Sequence, residues 1–460
     1  MEIPVTFLFE SLLFISLGVC MATPVILFNI KIAPRWGWID WPKARGVADQ
    51  QTPIVGHSLI FLSLIYFTVA WKYLHVSPWF VTMAFIMAVM GYFDDRRPVP
   101  ALDKLGFQII CVVSVVLFDP NIHEAMSVKY GPLGTFLAIF FILGLINAIN
   151  FVDGIDGLAG VVLLTGAVGY TLFSHNHIEA YPYLLYSLLL AGMLIPFLYL
   201  NVVKRKGFLG NIGSYFFAYV LGVMHLSLPI DTDNAVSRIS LSGLCFIVPI
   251  ADAITVIVTR VLTRRSPFQP DKGHLHHRLV QTSLLLRYVL LAFGLIQLSS
   301  MVTAYAIFLT EGARKSPALT IVVLICFVAI VSTLIVLVEK ATKRRLQSYF
   351  QMLDNGDTVY FLKYQVRRPD GSVLPFHVLA RLEAKINAEI RVSDLCYLEE
   401  PDTLFITLKT LPERLKLVSN RLDLVFQTET VKTNLVIEQG EFVKIAHYRL
   451  PPEIRKSYVQ

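Results

Sequence analysis

Residues 136–160 read FLAIFFILGLINAINFVDGIDGLAG. The run Phe136–Ile146 is apolar enough to sit in a bilayer. Directly after it come two carboxamides, Asn147 and Asn150, and two carboxylates, Asp153 and Asp156. Charged groups beside a membrane segment are costly, so where they occur they mark function. Their three-residue spacing places each neighbouring pair on roughly one helix face. Gly154, Gly157 and Gly160 break a helix or let it pack closely, which predicts a helix end or re-entry here. A helix N-terminus with carboxylates nearby suits a site where Mg²⁺ and a phosphate meet. The plainer alternative is two polar helix ends with glycine caps, and the rest of the chain weighs against it.

The 460 residues are 55% hydrophobic and only 16% charged, too few charges for a soluble protein of this size. Apolar runs approaching the roughly 20 residues that span a bilayer recur through the first three quarters. Eleven are legible, near 5–30, 53–72, 78–93, 105–118, 133–150, 155–174, 181–201, 213–229, 238–262, 285–309 and 317–338. The first is too long for a signal peptide and lacks a basic leader, so it reads as an anchor. With the loop after it assigned to the cytoplasm, 20 Lys and Arg fall on that side and 5 on the other. The positive-inside rule then predicts an outside N-terminus and a cytoplasmic C-terminus. These loops account for most of the net charge of +7, which therefore gives no support to a nucleic-acid partner. Cys20, Cys111, Cys245 and Cys326 lie in spans and Cys396 in the tail, unlike a secreted disulfide framework.

The expected architecture is an all-α polytopic membrane domain over residues 1–340, followed by a small cytoplasmic α+β domain over 346–460. In the tail, Val359–Val366 and Thr403–Leu408 read as strands and Pro369-Asp370-Gly371 as a turn. Helical stretches are expected near 378–389 and 411–424.

Every chemically rich loop falls on the predicted cytoplasmic face, which argues for one shared site. Asp94-Asp95-Arg96-Arg97 follows the third span, with Asp103-Lys104 beyond it. Adjacent carboxylates repel, and a divalent cation or basic partners relieve them. The loop Lys204-Arg205-Lys206-Gly207-Phe208-Leu209-Gly210-Asn211 combines basic charge with glycines that expose backbone amides to phosphate. The same basic triplet serves topology equally well. The long loop from Arg260 to Arg287 carries Arg265 and then His274-Leu275-His276-His277-Arg278. Three histidines in four residues suit zinc, but no second half of a zinc site is evident. Contacts to a diphosphate and a sugar fit their basic neighbours better. Asp252 is a separate carboxylate inside the ninth span, suited either to function or to helix packing. Asp residues, Mg²⁺, basic groups and membrane access together suggest phosphoryl transfer between a soluble nucleotide and a lipid phosphate.

At these residues the chain resembles the polyprenyl-phosphate N-acetylhexosamine-1-phosphate transferase family. The likeness covers about residues 30–340 through six ordered motifs: GWIDWPKARGVADQQTPIVGH, GYFDDRRPVPALDK, NAINFVDGIDGLAG, FLGNIGS, VPIADAITVIVTR and RRSPFQPDKGHLHHRL. The HLHH form looks like the branch using UDP-N-acetylglucosamine or a similar UDP-sugar; the peptidoglycan-precursor branch ranks second. The resemblance implies transfer of a sugar 1-phosphate from a UDP-sugar to undecaprenyl phosphate in the bacterial cytoplasmic membrane. UMP is released, and the product starts an O-antigen, capsule or related glycan. By the same resemblance Asp94 deprotonates or orients the lipid phosphate, and Asp95 supports the metal. Asp156 is a metal ligand, Asn150 and Asp153 lie near the uridine, and Phe208 stacks on uracil. His274, His276 and His277 contact the diphosphate or sugar, with His276 also placed in the catalytic set. Lys104 and Arg265 complete the expected substrate contacts. The implied cofactor is Mg²⁺, with Mn²⁺ as its substitute, and the metal set is Asp156, Asn211 and Asp95.

The chain departs from the family pattern at three places. Asn211 stands where the family has Asp at a second metal-ligand position. Gly56-His57 stands where two glycines are usual, and Gly46 and Ala48 replace a basic residue and a histidine. Asn ligates through its carbonyl oxygen but brings no charge, so Mg²⁺ affinity should fall. A weakened family member acting as a scaffold, with a cytoplasmic partner for its tail, is therefore one alternative. A transporter or channel is another, although the acidic groups cluster at one face and inverted repeats are not visible. The sequence leaves room for a homodimer.

Overall fold

In the computed structural model, residues 5–40, 52–97, 99–154, 157–204, 206–230, 232–262, 286–310 and 316–354 are described, together with five strands beyond them. The helices are α1 (Val5–Trp36), α2 (Gly56–Leu74), α3 (Pro78–Arg96), α4 (Ala101–Phe118) and the single turn α5 (Pro120–Ile122). After them come α6 (Lys129–Val152), α7 (Leu158–Ser174), α8 (Tyr181–Leu198), α9 (Gly210–Ser227), α10 (Ala235–Leu244) and α11 (Ile247–Leu262). The last two are α12 (Leu286–Leu309) and α13 (Pro317–Asp354). A two-stranded antiparallel ladder, β1 (Ile39–Asp40) with β2 (Thr52–Pro53), joins α1 to α2.

All eleven apolar runs fall on these helices. Seven helical stretches among the described residues are long and apolar enough to cross a membrane, or eight if one bent pair is a single span. The expected count of eleven is therefore not met by length and composition alone. α7 has 17 residues, and α3 ends in Asp94, Asp95 and Arg96. The run at 238–262 is not one straight span: α10 and α11 meet at 103°. The multi-pass membrane character stands; the orientation rests on charge distribution.

α9 forms the centre of the helical unit. From Ile212 to Leu226 its side chains are buried, including Tyr215, Phe216, Phe217 and Tyr219. It packs against α2, α3, α6 and α7. Lipid tails are as apolar as leucine, so close van der Waals fit and internal polar pairing hold such a helix more than burial from water does. That central position brings the ends of α3 and α6 to the start of α9.

The chain divides into two compact units, the first made of Met1–Trp41, Gln51–His276 and Leu290–Thr333, the second of Pro42–Gln50, His277–Val289 and Leu334–Gln460. The second unit holds β3 (Val359–Arg367), β4 (Leu395–Glu400), β5 (Thr403–Leu408), β6 (Val436–Gln439) and β7 (Val443–Ile445). The order is β4-β5-β3-β6 with β7 also on β3, and every pairing is antiparallel. Strands at 359–366 and 403–408 were expected and are present. The expected helices at 378–389 and 411–424 and the turn at 369–371 lie outside the described residues.

Candidate functional site

The adjacent carboxylates of α3 point to different partners, which answers how two like charges share one helix end. Asp95 accepts hydrogen bonds from the backbone N–H groups of Asn211 (2.8 Å) and Ile212 (3.0 Å), one to each carboxylate oxygen. It is thus the anionic cap of α9, supplied in trans by α3, where the helix dipole favours negative charge. Gly210, at φ +77°, turns the backbone into that helix, and a Cβ there would lie 2.9 Å from Asp95 Oδ2.

Asp94 is 3% exposed. Its Oδ1 accepts from the Val99 N–H at 2.9 Å. Its Oδ2 accepts from Lys104 Nζ at 2.7 Å and from the Tyr215 hydroxyl at 2.8 Å. The basic partner foreseen for this motif is therefore Lys104, one of the expected substrate-binding residues. A carboxylate buried and bonded in this way orients its neighbours.

The carboxamides after Phe136–Ile146 diverge. Asn147 donates to Gln108 Oε1 on α4 at 2.9 Å, and Asn150 donates to Asn211 Oδ1 at 2.7 Å and to Ser214 Oγ at 3.0 Å on α9. Three residues advance a 3.6-residue helix by less than a turn, so nominal neighbours on one face reach different helices. α6 ends at Val152, Asp153 follows it and is 7% exposed, and α7 starts at Leu158 after Gly157. The helix end read from the glycines is present.

Phe208 is held by its backbone. Its N–H donates to the Pro53 carbonyl at 2.9 Å and its carbonyl accepts from the Val55 N–H at 2.7 Å, leaving the ring half-buried. Beside this bridge, His57 stacks on Trp38 at 4.6 Å between centroids and meets Tyr92 edge-on. Arg96 lies over Tyr92 and donates to the Trp36 carbonyl at 2.7 Å. The histidine in place of a glycine therefore builds an aromatic clamp joining the ends of α1, α2 and α3.

One residue escaped the sequence reading. Asn201 is buried; its Oδ1 accepts from the Gly157 N–H at 2.5 Å and its Nδ2 donates to the Gly207 carbonyl at 2.7 Å. It ties the segment after Asp156 to the loop that carries Phe208. The signal was a lone carboxamide closing the apolar run 181–201.

Asp94, Asp95, Lys104, Asn150, Phe208 and Asn211 thus fall in one connected set of contacts around the start of α9, with Asp153 at the end of α6. Asp156, Arg265, His274, His276 and His277 lie outside the described residues. Among the described residues no group of three His, Cys, Asp or Glu side chains is arranged to hold a metal ion. Of the expected ligands, Asp95 is engaged by the amides of α9 and the Asn211 oxygen by Asn150. The described donors do not complete a Mg²⁺ set.

A cap and a ligand respond differently to substitution. Asp95→Asn keeps one acceptor and loses the charge, so it should destabilise the protein by about 1 kcal/mol. A lowered thermal midpoint of the detergent-solubilised protein checks this. An unchanged midpoint with lost activity would instead assign Asp95 to a metal.

Comparison with known proteins identifies the family. A family model described as Glycosyl transferase family 4 matches residues 77–228, from α3 through α9. The chain is 28% identical over 349 residues to a probable undecaprenyl-phosphate N-acetylglucosaminyl 1-phosphate transferase of Bacillus subtilis, covering 73% of this chain and 94% of the relative. It is 31% identical over 289 residues to the decaprenyl-phosphate N-acetylglucosaminephosphotransferase of Mycolicibacterium smegmatis, covering 54% and 70%. It is 24% identical over 316 residues to the undecaprenyl-phosphate alpha-N-acetylglucosaminyl 1-phosphate transferase of Escherichia coli K12, covering 66% and 84%. The helix ends and their polar loops belong to a membrane sugar-phosphate transferase. The chain is a member of the polyprenyl-phosphate N-acetylhexosamine-1-phosphate transferase family.

Proposed function

We propose that this chain transfers N-acetylglucosamine 1-phosphate from UDP-N-acetylglucosamine to undecaprenyl phosphate. An oxygen of the lipid phosphate attacks the sugar-bearing phosphorus, the bond to the bridging oxygen breaks, and UMP leaves. The observation that carries the reading is the contact of the Asp94-Asp95 motif with the FLGNIGS loop and Asn150, which unites three of the six motifs at one helix start. The relatives' names supply the sugar and the lipid. Direct attack is favoured over a covalent aspartyl intermediate. Asp94 is engaged by Lys104, Tyr215 and Val99, and a phosphate oxygen is itself nucleophilic. The site faces the cytoplasm of a bacterial inner membrane in this reading, because the basic loops lie on the side of the motifs. The product would start an envelope glycan such as an O-antigen or capsule. Mg²⁺ is the proposed cofactor, with Asp156 as the carboxylate left to hold it.

The test is UMP release by purified protein given undecaprenyl phosphate and a panel of UDP-sugars, with and without a chelator. Release with UDP-N-acetylglucosamine that stops on chelation is expected. Silence with every sugar would sink the enzymatic reading, and release that persists on chelation would remove the metal.

Asn211 favours a second reading, a weakened enzyme. Its oxygen is already the acceptor for Asn150, so Asn211→Asp retains that bond and adds a charge at the start of α9, where the dipole favours it. The variant should reach half-maximal rate at about tenfold lower Mg²⁺, one carboxylate being worth on the order of 1 kcal/mol of added affinity. An unchanged Mg²⁺ titration would mean that the carboxylate is not the missing element.

A further inference from the structure

The break between α10 and α11 lies inside an apolar run, where unpaired backbone groups have no water to turn to. Cys245 and Phe246 close the last turn of α10 with hydrogen bonds to Ser242 and Gly243. That leaves carbonyls on one side of the break and N–H groups on the other. α12 supplies the partners. Gln297, fully buried, donates from Nε2 to the Cys245 carbonyl at 2.5 Å and accepts at Oε1 from the Val248 N–H at 3.1 Å. Ser300, one turn further along α12, donates to the Leu244 carbonyl at 2.8 Å. The Gln297 amide therefore stands in for the missing peptide group and touches both sides of the bend, whereas Ser300 touches only the α10 side.

What the bend aims is chemically distinctive. α11 carries Asp252 (1% exposed) and Arg260 (8% exposed), and it packs along α6, which ends in Asn147–Val152. It then runs into the segment with Arg265 and the histidines. Thr255 pairs with Ser332 of α13 at 2.7 Å, so α11 is also held along its length.

We propose that Gln297 is a positioning residue for the transfer reaction. Its amide fixes the angle between α10 and α11 and thereby places Asp252 and Arg260. The inference rests on the transferase reading above.

The experiment compares full-length wild type, Gln297→Met, Ser300→Ala, Asp252→Asn and the Gln297→Met/Asp252→Asn double variant in lipid nanodiscs. UMP release gives kcat and KM, and size-exclusion profiles give the folded fraction. Gln297→Met keeps the volume and loses both hydrogen bonds; kcat should fall at least tenfold with KM for the UDP-sugar within threefold. Ser300→Ala should cost less than threefold. Asp252→Asn should itself lower kcat, and Gln297→Met should cost less than threefold more in that background, because both act through α11. Multiplicative losses in the double variant, or full activity of Gln297→Met, would overturn the inference while leaving the transferase reading intact. A wild type without UMP release would remove both. Should Gln297→Met fail to insert, Gln297→Glu, which keeps the acceptor toward Val248, takes its place in the cycle under the same criteria.

Discussion

Asp94→Asn should reduce transfer at least about 100-fold while the protein still inserts in the membrane, the scale on which removing one preorganised polar group acts. The reason is a donor count. Three donors converge on Asp94: the Val99 N–H at one oxygen, Lys104 Nζ and the Tyr215 hydroxyl at the other. An asparagine offers one oxygen and one NH₂. With the NH₂ toward Val99 it opposes a backbone N–H that cannot rotate away. With the NH₂ toward Lys104 it opposes an ammonium that has also lost its charged partner. Either way a donor is left unmatched, at about 1–3 kcal/mol, and Lys104 and Tyr215 are released from their positions. UMP release beside a thermal melt checks this. Retention of more than a tenth of the activity would overturn the role given to Asp94 here.

Much of the helical framework was legible because apolar runs have a length and composition set by the bilayer. All eleven runs lie on helices, and the glycine-marked end near Asp153 is where α6 stops. Strands β3 and β5 were legible from alternation. What the sequence concealed is what depends on distant partners. The bend at Cys245–Phe246 sits in a continuous apolar run, and Gly243 and Pro249 on either side of it are residues that membrane helices also tolerate without bending. Its backbone partners come from Gln297 and Ser300, about fifty residues later. The division of labour between Asp94 and Asp95 was equally hidden, because adjacency in sequence says nothing about which carboxylate faces a lysine and which a helix N-terminus. Asn201 was overlooked because a single carboxamide at the end of an apolar run looks like any interfacial residue until both of its partners are seen. His57, standing where the family usually has a glycine, sits in an aromatic stack beside Gly56, which no sequence feature announces.

Gly91→Ala should be a strongly damaging single-methyl change at the candidate site. Gly91 lies one turn before Asp94-Asp95 on α3, and a Cβ there would fall 2.5 Å from Ile212 Cα and 2.6 Å from the Asn211 carbonyl oxygen. Both obstacles are backbone atoms of the first turn of α9, so no side-chain rotation relieves them. α9 cannot yield either, being buried on every side from Ile212 onward. The two helices must therefore separate, and the hydrogen bonds from the Asn211 and Ile212 N–H groups to Asp95 break first. Overpacking of this kind costs about 1–3 kcal/mol, and a displacement near 1 Å at reacting groups costs about 100-fold in rate. The control is Gly144→Ala on α6, three residues before Asn147, where an added Cβ meets nothing within 4 Å. There the gain in helix propensity, about 0.5–1 kcal/mol, acts alone, so the melting midpoint should hold or rise and activity should stay. If the two variants behaved alike, the close approach of α3 to α9 would not be what organises the site. The transferase reading would then have to rest on the loops alone, since the hydrogen bonds from the Asn211 and Ile212 N–H groups to Asp95 run through that approach.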